Sequence, residues 1–406
     1  MRLVNEAEVE GKRVLLRVDF NVPVTDDRVS DDTRIRSVLP TLHYLIDNGA
    51  RVIIAAHQGR PRGEGYERLY TLAPIAECLG QLLKQKVNLT HDVLGLQTRA
   101  DVEALEPGDV LMLENLRFDA GEKKNDPTFS AQLASLAEVY VNDAFAAAHR
   151  AHASIVGVTD YLPSYAGFRL YRELETMRRM LLRPERPFVA IIGGSKVSDK
   201  IEVVQSLIDV VDVLVIGGAM CFTFLVAQGY SVGASLVEPD WIEWAKLVLN
   251  KAAAREVQIM LPTDVVAAAQ ISADAESVVT AIENMADDQM GLDIGPETVK
   301  TWSELIHQAR TVLWNGPMGV FEIDAFARGT RDIATAVAMN QKATTIIGGG
   351  DTIAAISRYG YNDLVSFIST GGGALLELLE GKELPGVAAL EANQLVKSVF
   401  DTADDE

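Results

Sequence analysis

The sequence predicts an α/β fold in two domains, each a parallel sheet covered on both faces by helices. Three observations carry that expectation. Apolar runs of strand length recur along the 406 residues, separated by segments of helical length. The runs are continuous rather than alternating, the pattern of strands buried on both faces. They also end differently in the two halves, in polar and charged residues first and in glycines later. Ligands of open α/β sheets bind beyond the carboxyl ends of strands, so two kinds of strand end predict two domains with different ligands.

The runs of the first half are RVLLRVDF (13–20), ARVIIAAH (50–57), DVLMLEN (109–115) and EVYVNDAF (138–145). Their ends carry Asp19, Asn21, His57, Arg60, Asn115, Arg117, Asn142 and Asp143. Those of the second half are PFVAIIGG (187–194), DVLVIGG (212–218), VQIMLP (257–262), RTVLWNG (310–316), ATTIIGGG (343–350) and LVSFISTGGG (364–373). Between the halves, Phe168, Leu170, Tyr171, Leu174, Met177 and Leu181 fall at helical spacing between Pro163 and Pro184, predicting a long connecting helix.

Composition narrows the ligands. The length suggests two or three domains. With 37 Lys and Arg against 57 Asp and Glu the net charge is −20, and a globally acidic protein is a poor partner for nucleic acid or an anionic membrane. Cations that handle an anionic ligand must then be concentrated locally. The two cysteines, Cys78 and Cys221, lie far apart in apolar surroundings, so no disulfide or metal site is expected and a reducing cytoplasm fits. The acidic start MRLVNEAEVEGKR does not read as a signal peptide, and no apolar run reaches membrane-spanning length.

Glycines at strand ends bring main-chain N–H groups close to phosphates; the plain alternative is tight packing of strand against helix. Five clusters in the second half favour nucleotide binding, although neither GxxxxGK[ST] nor GxGxxG is present, which counts against an ordinary P-loop enzyme or a dinucleotide-binding dehydrogenase. Gly193-Gly194-Ser195-Lys196 places a lysine at an expected helix start, with Lys200 one turn on along the same face. In IIGGGDT (346–352), Asp351 is a natural Mg²⁺ ligand beside a phosphate cradle, or alternatively the N-cap of the following helix. In the first half Arg17, Arg34, Arg60, Arg117 and Arg150 recur near strand ends, and guanidinium forks suit phosphate and carboxylate. His149 and His152 lack the further ligands of a zinc site. Anions held by arginine on one face, and nucleotide phosphates with Mg²⁺ on the other, make the layout of a two-domain phosphoryl transferase.

The same residues resemble the phosphoglycerate kinase family over nearly the whole chain. The motifs are RVDFNVP (17–23), HQGRP (57–61), LENLRF (113–118), VNDAF with AHRAH (141–152), GGSKVSDKI (193–201), GLDIGP (291–296), WNGPMGVFE (314–322), IIGGGDT (346–352) and STGGGALLELLEGKELPGV (369–387). The resemblance implies two Rossmann-like domains joined by a long helix and hinge. The expected boundaries are 1–164 for a phosphoglycerate-binding domain, 165–182 for the helix and 183–389 for a nucleotide-binding domain, with 390–406 returning to the first. It implies transfer of a phosphoryl group between ATP and 3-phospho-D-glycerate, in a cytoplasmic monomer that uses Mg²⁺. Asp19, Phe20, Asn21, Arg34, His57, Gln58, Gly59, Arg60, Arg117 and Arg150 would then hold phosphoglycerate. Lys200, Gly291, Asn315, Glu322, Gly349, Gly350, Asp351 and Thr352 would hold the nucleotide, Glu322 at the ribose and Asp351 at the metal. Arg34, Lys196 and Lys200, with amides of Gly371, Gly372 and Gly373, would stabilise the phosphoryl group in flight. The chain departs from the family pattern at Ala56 and Gln58, at Ala146 and Ala147, and at Ala219 and Cys221; Ala219 puts a methyl at the expected adenosine pocket.

Overall fold

The computed structural model describes the backbone of residues 1–401 and side chains through Asn393. The chain divides into two compact units. Residues 1–176 and the segment from Glu383 onward form unit 1, and residues 177–382 form unit 2.

Unit 1 is built on six parallel strands: β1 (Arg13–Arg17), β2 (Arg51–Ala55), β3 (Asn88–Leu89), β4 (Val110–Met112), β5 (Val139–Asn142) and β6 (Ser164–Ala166), in the order β3-β4-β2-β1-β5-β6. The central strands are continuous apolar runs because both faces are covered: Val14, Leu15, Leu16, Val52, Ile53 and Ile54 have no exposed surface. The connections run one way from β1 to β2 and the other way to β5, which makes a switch point beside β1 where strand ends open onto a crevice. The tail helix begins at Pro385. Asn393 on it accepts from Arg2 Nη2 (2.8 Å) and Ser164 N (2.9 Å) and donates to Thr159 O (2.7 Å), which ties the start of the expected returning segment to unit 1. Side chains of 394–401, and residues 402–406 entirely, lie outside the described residues.

Unit 2 has its own six-stranded parallel sheet: β7 (Phe188–Ile192), β8 (Val213–Ile216), β9 (Gln258–Met260), β13 (Thr311–Asn315), β14 (Thr344–Gly348) and β15 (Phe367–Ser369), in the order β9-β8-β7-β13-β14-β15. That is the 3-2-1-4-5-6 order of a doubly wound fold, with its switch point between β7 and β13. A three-stranded antiparallel sheet, β10 (Asp264–Ala268), β11 (Ser277–Ala281) and β12 (Met290–Ile294), is added beside it in the order β11-β10-β12. The sequence reading missed this sheet. Ser277, Val278 and Val279 of its edge strand are exposed and show no buried face to read.

The connecting helix runs Phe168–Leu182 rather than from 165, because Ser164–Ala166 pairs with β5 as a strand. Leu170, Leu174 and Met177 are its buried stripe. Its N-terminus is satisfied from unit 1: Phe168 N donates to Thr41 Oγ1 (3.0 Å) and Leu170 N to Asp143 Oδ1 (2.9 Å). A Cβ at Gly167 would lie 2.3 Å from the Asp143 carboxyl, so only glycine lets that carboxyl reach the helix end. Burial raises the Asp143 carboxyl to about 6.

Candidate active site

At the carboxyl ends of β1, β2 and β4 the structure gathers the residues of unit 1 that the sequence led us to expect at an anion. Arg34 Nη1 meets Asp19 Oδ2 at 2.6 Å and Asn21 O at 3.3 Å. Asn21 Oδ1 accepts from Gly59 N (2.9 Å), and Arg117 Nη1 donates to Gly59 O (2.7 Å). Gly59 has a φ of +60°, and a Cβ there would sit 2.3 Å from the Tyr70 ring. The turn that carries His57 to Arg60 therefore needs a glycine for both backbone angle and space.

Positive charge is dense here. Burial brings the Arg117 guanidinium down to about 10, with Arg150 and Arg17 adding repulsion. Burial, then Arg17, Arg117 and Arg150, hold His57 well below the ordinary imidazole value. In a chain of net charge −20 this crowding of cations is the local concentration an anionic ligand requires. Arg60 and Asn21 are exposed and Arg150 is half-buried with Nε 3.2 Å from His149 Nε2.

Several expected contacts take a different form. Phe20 has no exposed surface at all and belongs to the core, so it does not stand open to a ligand. Gln58 turns inward and donates to Val22 O (2.7 Å). Of the polar strand ends, three are structural. Asn115 ties Gln58 O and Tyr70 O (2.8 Å each), Asn142 accepts from Ala144 N (3.0 Å), and Asp143 serves the helix.

In unit 2 the switch point is lined by interlocking main chain. A Cβ at Gly193 would lie 2.1 Å from Pro317 O, and one at Gly316 would lie 2.2 Å from Gly193 O. These glycines are required by packing of the β7 and β13 ends against each other. Gly194, Gly350 and Gly372 differ: a Cβ there would meet nothing within 4 Å, so their main chain fronts open space. Thr352 Oγ1 accepts from Gly316 N (2.6 Å) and is fully buried, so its hydroxyl locks the loop rather than standing open.

Residues 195–197 bend and 198–200 turn rather than forming the first turn of a helix; the helix begins at Ile201, with Lys200 at its N-cap position. Ser198 is held by Glu238, N to Oε2 at 3.1 Å and Oγ to Oε1 at 2.7 Å, which fixes the turn. Lys196 is therefore exposed at the turn instead of sharing a helical face with Lys200. Lys200 donates to Asn315 Oδ1, and burial lowers its ammonium despite Asp199 and Asp351. Asp351 lies inside the first turn of the helix Gly350–Arg358, whose N-cap is Gly349, so the N-cap alternative for Asp351 does not hold. Among the described residues its exposed carboxylate joins no hydrogen bond or ion pair. One free carboxylate fits a magnesium ion that takes its other ligands from phosphate and water, and does not fit an all-protein metal cage. No group of three His, Cys, Asp or Glu side chains is placed to hold a metal among the described residues.

Beside these residues opens a cavity of about 380 Å³, lined by Gly218, Ala219, Leu236, Gly291, Met318 and Glu322, with Asp351 at its edge. Its size and largely apolar lining suit a nucleoside. Gly291 is pressed by the Phe222 ring, 2.2 Å from where a Cβ would lie, and its N–H donates to Ser235 Oγ (3.0 Å). Gly371 N donates to Ser369 Oγ (3.2 Å), leaving the amides of Gly372 and Gly373 at the start of the helix Gly373–Leu379. Sequence reasoning overlooked Asp293, buried beside this cavity, and Glu122 and Ser154, buried behind His57. In the run GEKK, Glu122 reads as one more surface charge.

Comparison with known proteins agrees with this geometry. The family model for phosphoglycerate kinase matches residues 4–382. A phosphoglycerate kinase of Moorella thermoacetica is 54% identical over 95% of this chain and 98% of its own length. One from Thermosynechococcus vestitus is 53% identical over 96% and 98%. The structure of phosphoglycerate kinase from Coxiella burnetii superposes with a TM-score of 0.89 at 43% identity, covering 96% of this chain and 98% of that one. The crystal structure of the Pyrococcus horikoshii phosphoglycerate kinase gives 0.85 at 34%, covering 97% and 99%. The chain belongs to the phosphoglycerate kinase family.

Proposed function

We propose that the protein transfers a phosphoryl group reversibly between ATP and the carboxylate of 3-phospho-D-glycerate, giving ADP and 1,3-bisphosphoglycerate, with glycolytic flow toward ATP. The observation that carries this reading is the cationic cluster around His57 in so acidic a chain. A nucleoside-sized cavity in the other unit supports it.

The chemistry asks little of acid or base. The accepting carboxylate is already ionised at pH 7, so no general base is needed. The difficulty is bringing an anion against a triphosphate, and fixed cations answer it by stabilising charge on the transferring group. Arg117, Arg150, Arg60 and His57 hold the phosphoglycerate phosphate, with Asp19 and Asn21 orienting Arg34 and the turn at Gly59. Glu322 takes the ribose hydroxyls. The amides at Gly349 and Gly350 take phosphates. Arg34, Lys196 and Lys200, with the amides of Gly372 and Gly373, stabilise the phosphoryl group between donor and acceptor. A magnesium ion arriving with the nucleotide would be held by Asp351 and would neutralise phosphate charge. In-line transfer requires the two ligands to meet, and the helix Phe168–Leu182 is the pivot we assign to that closure. The protein acts as a cytoplasmic monomer.

A coupled assay with Mg-ATP and 3-phosphoglycerate, following NADH loss through glyceraldehyde-3-phosphate dehydrogenase, tests the reading. A rate that needs magnesium, ATP and phosphoglycerate together supports it. Binding of both ligands without turnover would make the chain a non-catalytic binding protein instead.

A further inference from the structure

Behind His57 lies a buried polar chain that the reaction described above does not use. Arg17, at the end of β1, has no exposed surface. Its Nε donates to Ser154 Oγ (2.8 Å), its Nη1 to Val18 O, and its Nη2 lies 3.1 Å from His57 Nδ1. Ser154 in turn donates to Glu122, Oγ to Oε1 at 2.7 Å and N to Oε2 at 2.9 Å. Glu122 is fully buried, with His152 Nδ1 3.6 Å away. Burial alone would raise its carboxyl, but the nearby His152 ring, the charge of Arg17 and the hydrogen bonds from Ser154 lower it on balance.

The donor inventory fixes the direction of this chain. A guanidinium only donates, so His57 Nδ1 must be the acceptor and the ring proton must sit on Nε2. The Ser154 oxygen accepts from Arg17, and its own proton goes to Glu122. Each member therefore has one assigned role, and reversing any one leaves a buried donor facing a donor.

We infer that Glu122 is a positioning residue: through Ser154 and Arg17 it locks His57 in the neutral Nε2–H form, so that the ring offers a hydrogen-bond donor to the phosphate of phosphoglycerate. The contribution to that ligand rests on the function proposed above; the tautomer does not. A carboxylate that merely offset Arg17 would act in the opposite sense. Removing it would raise the local positive potential and tighten anion binding.

The test uses the full-length protein labelled with ¹⁵N-histidine and the variants Glu122→Gln and Ser154→Ala, with His57→Gln to assign the resonance. At pH 7 without ligand, wild-type His57 should show a protonated Nε2 and an unprotonated Nδ1. Both variants should lose that single-tautomer signature. Their KM for 3-phosphoglycerate should rise about tenfold, the weight of one charge-assisted hydrogen bond, with KM for ATP unchanged. Ser154→Ala keeps both charges and stands alone should Glu122→Gln fail to fold. An Nδ1–H wild-type ring, an unaltered tautomer and KM in the variants, or a lowered KM in Glu122→Gln overturns the inference. An inactive wild type with the expected tautomer overturns the function instead.

Discussion

Lys200 donates its ammonium to the side-chain carbonyl of Asn315, joining the start of one helix to the end of β13 at the switch point of unit 2. The lysine is thus held half-buried by a neutral partner, not neutralised by a carboxylate, and its charge stays available to a phosphate. Lys200→Ala should lower kcat roughly 10²–10³-fold, the usual effect of deleting one donor to a developing anion. KM for phosphoglycerate should move little. Steady-state kinetics with both substrates varied reads this directly, and an unchanged kcat would remove Lys200 from the transferring site.

The glycines separate into two kinds that mutation can tell apart. Gly193→Ala drives a methyl into the Pro317 carbonyl and should destabilise unit 2 by about 1–3 kcal/mol, as overpacking does. Gly350→Ala meets open space in the first turn of a helix and should leave stability equal or raise it by about 0.4–1 kcal/mol. With phosphates resting on that main chain, the same methyl should raise KM for ATP. Thermal unfolding paired with ATP titration checks both halves. A stable Gly350→Ala with unaltered KM for ATP would place the phosphates elsewhere.

Arg34 lies 2.6 Å from Asp19 in unit 1, with a third of its side chain exposed. Asp19 is the buried partner and Arg34 the more exposed one, so under the proposed function the guanidinium is the member a ligand would reach. Arg34→Ala should cut kcat with 3-phosphoglycerate by on the order of 10²-fold. Its ATP affinity by calorimetry should match the wild type. A weakened ATP affinity would show that Arg34 serves the nucleotide.

Strand positions were legible because strands buried on both faces must be apolar throughout, as in Leu15, Ile53 and Ile191. What spacing could not give was partnership. Ser164–Ala166 is a strand because β5 lies beside it, and β11 is a strand with hardly any apolar face to the interior. Lys196 and Lys200 stand at helical spacing, yet Glu238, about forty residues on, holds the segment as a turn. Asn142 and Asp143 look like ligand-facing strand ends but serve the main chain. The reverse holds for Glu122, whose burial depends on a serine 32 positions away. Local pattern locates elements; the use of a polar side chain is settled by residues distant in sequence.

Asp293 offers a pH test of the nucleotide half. Its carboxyl is buried beside the cavity and accepts from Gly329 N (2.6 Å) and Ile294 N (2.9 Å). Burial outweighs those bonds and raises it to about 7, with Asp332 adding repulsion. Unfolded, the group titrates near 3.8. Below that value both states hold the proton and pH has no effect through this residue. Between it and about 7 the folded state binds more protons, so this contribution falls as pH rises, by at most about 1.4 kcal/mol per pH unit, and levels off above. All four tryptophans, Trp241, Trp244, Trp302 and Trp314, lie in unit 2, so urea unfolding followed by their fluorescence reports this unit. Asp293→Asn removes the titration while keeping the shape. Wild type should therefore lose stability relative to the variant steadily from pH 4.5 to 7. A difference independent of pH would mean that the two amide donors keep Asp293 ionised throughout, and that the floor of the cavity carries a fixed negative charge facing the nucleotide.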